Sequence, residues 1–129
     1  MTRAALSILI VDDDPDDRRD IRRMLLCGSD QRYQFTEAQL GANCLRLLLG
    51  PTARRFDCVL LDYHLPDLDA MEVLVALGGT RAGTPAPVVV LTGADRHATS
   101  RLLQSGAMDF LGKGALTAEG LTRAVSNAV

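Results

Sequence analysis

Ser7-Ile8-Leu9-Ile10-Val11-Asp12-Asp13-Asp14-Pro15-Asp16-Asp17 holds the fold in miniature: an apolar run without polar alternation, three acids, then a proline. A strand that is apolar on successive residues is buried on both faces, the condition of a strand inside a parallel sheet covered by helices. Pro15 suits a first helical position, Asp14 an N-cap, and Asp16 and Asp17 the positive end of the helix dipole. The stretch therefore turns directly from strand into helix.

Working outward, the same unit recurs. Strands are expected at Ser7 to Val11, Gln34 to Glu37, Cys58 to Leu61, Val88 to Leu91 and Asp109 to Leu111. Helices are expected at Asp16 to Cys27, Ala42 to Leu49, Ala70 to Leu77, Arg96 to Ser105 and Ala118 to Ala128. Gly28, Gly50-Pro51, Leu65-Pro66-Asp67, the Gly78 to Pro87 stretch, Gly93, Gly106 and Gly112-Lys113-Gly114 break the chain between them. Right-handed crossovers then predict an α/β fold: a doubly wound, five-stranded parallel sheet, (βα)5, with strand order 2-1-3-4-5.

The totals agree with one domain, 1–129. The chain has 129 residues, 47% of them hydrophobic and 23% charged, enough for one core and too apolar for disorder. Net charge is −2, from 14 basic and 16 acidic residues, so there is no basic surplus to neutralise phosphates, and direct nucleic-acid binding is not expected. Glu is confined to positions 37, 72 and 119, and the sole lysine is Lys113, a compact point charge in a chain that otherwise uses arginine. Cys27, Cys44 and Cys58 lack metal-binding spacing and read as reduced, buried thiols. Neither a membrane span nor a signal peptide is read in the sequence, and a cytoplasmic protein is expected.

In sheets of this kind, ligand chemistry gathers at the carboxyl ends of the strands. Asp12 and Asp13 follow the first strand, Asp62 the third, Thr92 the fourth and, after Gly112, Lys113 the fifth. Glu37 ends the second strand, at the sheet edge away from that crevice. Three carboxylates in one pocket repel one another unless protonated or neutralised by a hard cation, and an all-oxygen set suits Mg²⁺. A lysine and a threonine beside them can meet the oxygens of a transferring phosphoryl group, with one carboxylate as nucleophile.

Four motifs in order now resemble the receiver domain of two-component response regulators: Ile8-Leu9-Ile10-Val11-Asp12-Asp13, Val59-Leu60-Leu61-Asp62-Tyr63-His64-Leu65-Pro66-Asp67, Val88-Val89-Val90-Leu91-Thr92-Gly93 and Phe110-Leu111-Gly112-Lys113. The resemblance implies a flavodoxin-like fold in which Asp62 accepts a phosphoryl group from a histidine kinase or histidine phosphotransfer protein. It implies Mg²⁺ held by Asp13, Asp62 and the backbone carbonyl of His64, with Asp12 acting mostly through water. Lys113 would pair with Asp62 and then with the phosphoryl group. Thr92 and Phe110 would form the switch, and His64 and Ala94 would tune phosphoryl lifetime. The signal would leave through the face of helix four, strand five and helix five to an unidentified downstream protein, with self-catalysed acceptance and loss of phosphate as the only chemistry.

Departures from the family pattern carry expectations of their own. Gly114 replaces a proline commonly preceded by a cis peptide, and Ala70 a common glycine, so both turns are expected to be altered. Arg18, Arg19, Arg22 and Arg23 read as a solvated face of helix one. Two alternatives stay open: a receiver-like interaction module independent of phosphorylation, and a haloacid-dehalogenase-like phosphatase using Asp12, Asp14, Thr92 and Lys113. With no effector domain read after Val129, a relay or protein-contact role is expected rather than direct transcriptional control.

Overall fold

The computed structural model describes residues 4–79, 83–93 and 101–129. Five parallel strands, β1 (Leu6–Val11), β2 (Tyr33–Ala38), β3 (Cys58–Asp62), β4 (Val88–Thr92) and β5 (Asp109–Gly112), lie in the order β2-β1-β3-β4-β5. Helices α1 (Pro15–Gly28), α2 (Gly41–Leu49) and α3 (Ala70–Ala76) precede a helical stretch, α4, at residues 101–104, and α5 (Ala118–Ala128) closes the described chain. The expected order holds, and every compared end falls within one residue of expectation except that residues 96–100 of the fourth helix lie outside the described residues.

Every residue of β3 and β4 is buried, as unalternated apolar runs require, whereas β5 is only half-buried and ends in an exposed glycine. The side chains divide between two cores. Leu9, Val11, Val59, Leu61, Val88 and Val90 meet Cys44 and Leu48 of α2, Val73 and Leu74 of α3, and Leu102. On the opposite face Ile8, Ile10, Cys58, Leu60, Val89 and Leu91 meet Ile21 and Leu25 of α1 with Leu121 and Val125 of α5. Each fully buried Leu or Ile contributes about 1.5–3 kcal/mol.

Helix starts are encoded locally. Pro15 occupies the first position of α1, and Asp14 caps it by accepting the Asp16 amide at 2.8 Å, as expected. Asp69 and Glu72 form a capping box on α3. Ala70 is the buried first residue of that helix, so the reshaped turn expected there is replaced by an ordinary capped start. Only α2 lacks a cap of its own among these starts: Leu40 offers no side-chain oxygen, and Asp67, 26 residues away, accepts the Gly41 and Ala42 amides at 2.9 and 3.0 Å.

Among the described residues no peptide bond is cis, and Lys113–Ala115 form a short 3-10 turn. The glycine after Lys113 therefore joins a tight helical turn in the trans form. Cys44 and Cys58 are buried as expected, and burial pushes both thiols up to about 12. Cys27 corrects the expectation, since it is exposed near the end of α1. No helix among the described residues is long and apolar enough to cross a membrane.

Candidate functional site

Sheet register sets the site. Val11 lies level with Leu61, Leu61 with Val90 and Val90 with Phe110, so Asp12 and Asp62 leave adjacent strands at one height. Thr92 pairs with Gly112 one residue higher, and Lys113 follows as the chain turns over the sheet. Asp12, Asp62 and Thr92 are all buried, whereas Asp13 is exposed. Carboxylate oxygens of Asp12, Asp13 and Asp62 fall within 4.8 Å of one another.

Lys113 points its ammonium into this group. Nζ lies 3.0 Å from Asp12 Oδ2, 3.1 Å from Asp62 Oδ1 and 3.3 Å from Asp17 Oδ2. Burial would lower the Lys113 pKa, but hydrogen bonds and charge from Asp12 and Asp62 outweigh it and hold the value raised. The lysine is therefore charged at any ordinary pH. For Asp62, burial and then the Asp12 charge raise the pKa, against the lowering effects of Lys113 and the His64 amide. One lysine does not neutralise three carboxylates, and the surplus of anionic oxygens in one place is the condition a hard divalent cation satisfies. The donor set therefore fits Mg²⁺.

The acidic loop is held from beneath. Asp12 Oδ1 accepts the Asp14 amide at 3.0 Å, and the Asp12 carbonyl accepts Arg18 Nη1 at 2.5 Å. Arg18 is only 8% exposed, and its Nε donates to Glu37 Oε1 at 2.8 Å. Arg18 thus departs from the solvated face expected of it, because Glu37 at the end of β2 turns toward α1 and supplies the counter-charge. Arg22 makes a more exposed second bond to Glu37 at 2.9 Å. The signal was present: Arg18 shares the stripe of Ile21 and Leu25, which are buried at helical spacing.

Asp17 was expected only to favour the helix dipole, and its contact with Lys113 was missed. Its position, three and four residues before Asp20 and Ile21 on the flank of α1 nearest Lys113, is the trace it left in the sequence.

The loop after β3 closes on itself. The Ala70 amide donates to the Tyr63 carbonyl at 2.9 Å, and His64 bridges Asp69 in antiparallel fashion. The His64 side chain is exposed, its ring edge-on to Tyr63 at 4.8 Å between centroids. Phe110 is half-buried against the α2–α3 core. Ala94 lies outside the described residues. Asp14 is exposed and engaged as the α1 cap, which removes it from the role the phosphatase alternative needs.

Comparison with known proteins places this geometry. Residues 8–126 match the family described as response regulator receiver domain. The rice two-component response regulator ORR1 is 30% identical over 116 residues, 86% of this chain and 50% of that protein. The response regulator MprA of a Mycobacterium species is 39% identical over 108 residues, 82% of this chain and 43% of MprA. This chain therefore spans about half the length of the curated relatives it matches, or somewhat less. Among solved structures, the receiver domain of a Pseudomonas aeruginosa sensor histidine kinase, with a magnesium ion coordinated in its active site cleft, is 27% identical. It superposes with a TM-score of 0.77, covering 97% of this chain and 98% of that one. The phosphorylated cyanobacterial phytochrome response regulator RcpA is 25% identical, with a TM-score of 0.75 over 96% of this chain and 91% of its own.

Proposed function

We propose that this chain, which belongs to the response regulator receiver domain family, accepts a phosphoryl group on Asp62. The observation that carries the reading is Lys113 Nζ, bonded at once to Asp12 and Asp62 inside the acidic cluster. A carboxylate oxygen of Asp62 attacks phosphorus held by a phosphohistidine; the Oδ–P bond forms while the bond from phosphorus to the imidazole nitrogen breaks. The donor is a histidine kinase or a histidine phosphotransfer protein, and the reaction takes place in the cytoplasm. The protein is a stoichiometric acceptor whose phosphoryl group is later lost to water.

Asp12, Asp13, Asp62 and the His64 carbonyl would hold Mg²⁺, which when bound supplies positive charge to the phosphoryl oxygens. Lys113 meets one of those oxygens as its bond to Asp62 is exchanged for one to the new group. Thr92, buried at the end of β4, donates its hydroxyl proton to another. The product adds about −1.5 to −2 charges, and Thr92 with Phe110 passes the change to the face of α4, β5 and α5 for a partner protein to read. His64, exposed beside Asp62, regulates the approach of water and hence phosphoryl lifetime.

The test is intact mass after incubation with Mg²⁺ and acetyl phosphate. One phosphoryl group is expected per chain, absent without Mg²⁺ and absent in Asp62→Asn. No gain of mass together with no binding of beryllofluoride would overturn the assignment and leave an interaction module that works without phosphate.

A further inference from the structure

Lys113 has one more partner than the phosphoryl chemistry requires. An ammonium offers three N–H donors, and three carboxylates take them: Asp12, Asp62 and Asp17, at 3.0, 3.1 and 3.3 Å. Asp12 and Asp62 have side chains 1% and 9% exposed, come from adjacent strand ends, and already fix the ammonium. Asp17 differs from both. It comes from the first turn of α1, its side chain is 44% exposed, and it stands outside the oxygen cluster of Asp12, Asp13 and Asp62.

The surroundings give this contact room. Lys113, Asp17, Asp20, Ile21, Met24, Leu91 and Leu116 line a cavity of about 110 Å³ between α1 and the turn after β5. The lysine stem thus borders open space on the α1 side, toward Asp17. Since orientation is already supplied by two buried partners, the main addition of Asp17 is negative charge on the lysine side of a site that must capture an anion.

We propose that Asp17 shares the charge of Lys113 from the α1 side, weakening the site's hold on small anionic phosphodonors. The inference rests on Asp62 being the phosphoryl acceptor. Its consequence is donor specificity. A protein donor brings docking contacts remote from phosphorus, and that binding energy offsets a weakened anion site. An acyl phosphate has no such reserve and meets the full effect of Asp17. The carboxylate therefore biases the receiver against stray small-molecule phosphorylation.

The experiment compares the wild-type chain with Asp17→Asn, Asp17→Glu and Asp20→Asn, reading the rate of mass gain from acetyl phosphate and the apparent affinity for beryllofluoride, both with Mg²⁺. For a half-exposed ion pair the expected gain in Asp17→Asn is roughly two- to fivefold at low ionic strength. That gain shrinks as salt rises toward about 0.5 M, because the exposed charge is screened. Asp17→Glu stays near wild type. Asp20→Asn, which alters the same cavity wall and the same net charge, also stays near wild type. Equal or slower reaction in Asp17→Asn, an equal gain in Asp20→Asn, or a gain indifferent to salt would each overturn the proposal. A wild-type chain that neither gains phosphate nor binds beryllofluoride would instead sink the acceptor assignment beneath it, a result separable from the first three. A purely structural role for Asp17 would lower the melting temperature without producing the salt-dependent change in rate.

Discussion

The two loops that carry the site's aspartates are fixed by opposite means. The loop after β1 is held by a buried cation: Arg18 donates to the Asp12 carbonyl and is itself neutralised by Glu37. The loop after β3 is held by an exposed anion: Asp67 reaches across to the first amides of α2, and backbone bonds close the loop behind it. A buried charge that loses its partner is left without solvent, whereas removing the exposed carboxylate leaves at least the Ala42 amide within reach of water. The first loop should therefore fail abruptly and the second loosen by degrees.

Arg18→Met breaks the first arrangement. It strips Glu37 of its main partner and leaves the Asp12 carbonyl short of a donor, and a loss of about 2–3 kcal/mol is expected, discounted from a fully buried pair because Glu37 is partly exposed. Urea unfolding followed by circular dichroism measures it, and Arg18→Met with Glu37→Gln should recover part. Equal stabilities of Arg18→Met and wild type would erase the distinction between the loops.

Asp67→Ala should cost about 1 kcal/mol, the scale of a lost helix cap, with the effect concentrated at the start of α2. Smaller still, Ala70→Gly should cost about 0.5–1 kcal/mol by loosening the start of α3. Arg22→Ala, which removes the more exposed bond to Glu37, should cost a few tenths of a kcal/mol to about 1 kcal/mol. If Arg22 rather than Arg18 proved the costlier loss, the buried guanidinium would not be what secures the first loop.

Acid sharpens the comparison within the second loop. Partial desolvation raises the Asp67 pKa, but the Ala42 and Gly41 amides outweigh it and hold the group below its ordinary 3.8. With a depressed folded value, the stability it lends is present above pH 3.8 and lost as pH falls through the folded pKa. Asp62 runs the other way. Its folded pKa is raised, so its ionisation costs stability as pH climbs past 3.8. Urea midpoints across this acidic range should show Asp67→Asn converging with wild type at low pH, and Asp62→Asn gaining on wild type as pH rises without Mg²⁺. Parallel curves would contradict both assignments.

What could be read from the chain followed from periodicity and position. Unalternated runs such as Val88 to Leu91 admit little but a strand buried on both faces, and the positions just past the apolar runs pick out Asp12, Asp62, Thr92 and, after Gly112, Lys113. The side chains that were misread make their decisive contacts across the fold. Arg18 looks like any surface arginine until the fold brings Glu37, 19 residues on, beside it. Asp67 reads as a turn residue, and its capping of α2 depends on how the sheet, with β1 between β2 and β3, brings the segments after β2 and β3 together. Asp17 satisfies a local rule about helix ends so well that its contact with Lys113, 96 residues away, leaves only a faint trace. Cys27 sits in an apolar-looking segment whose outward flank depends on the rotation of α1.

The strand order also bears on how the chain reaches its fold. After β1 and β2 pair, β3 adds to the open edge of β1, β4 to β3 and β5 to β4, so no later strand has to wedge between two already joined. During synthesis the sheet can grow outward from one side in the sequence in which residues leave the ribosome. As it advances, its border is a bare strand, apolar except for its last residue, first Cys58–Asp62 and then Val88–Thr92, each a template for a neighbouring nascent chain. The last strand, half-buried and ending in an exposed glycine, brings that hazard to a close.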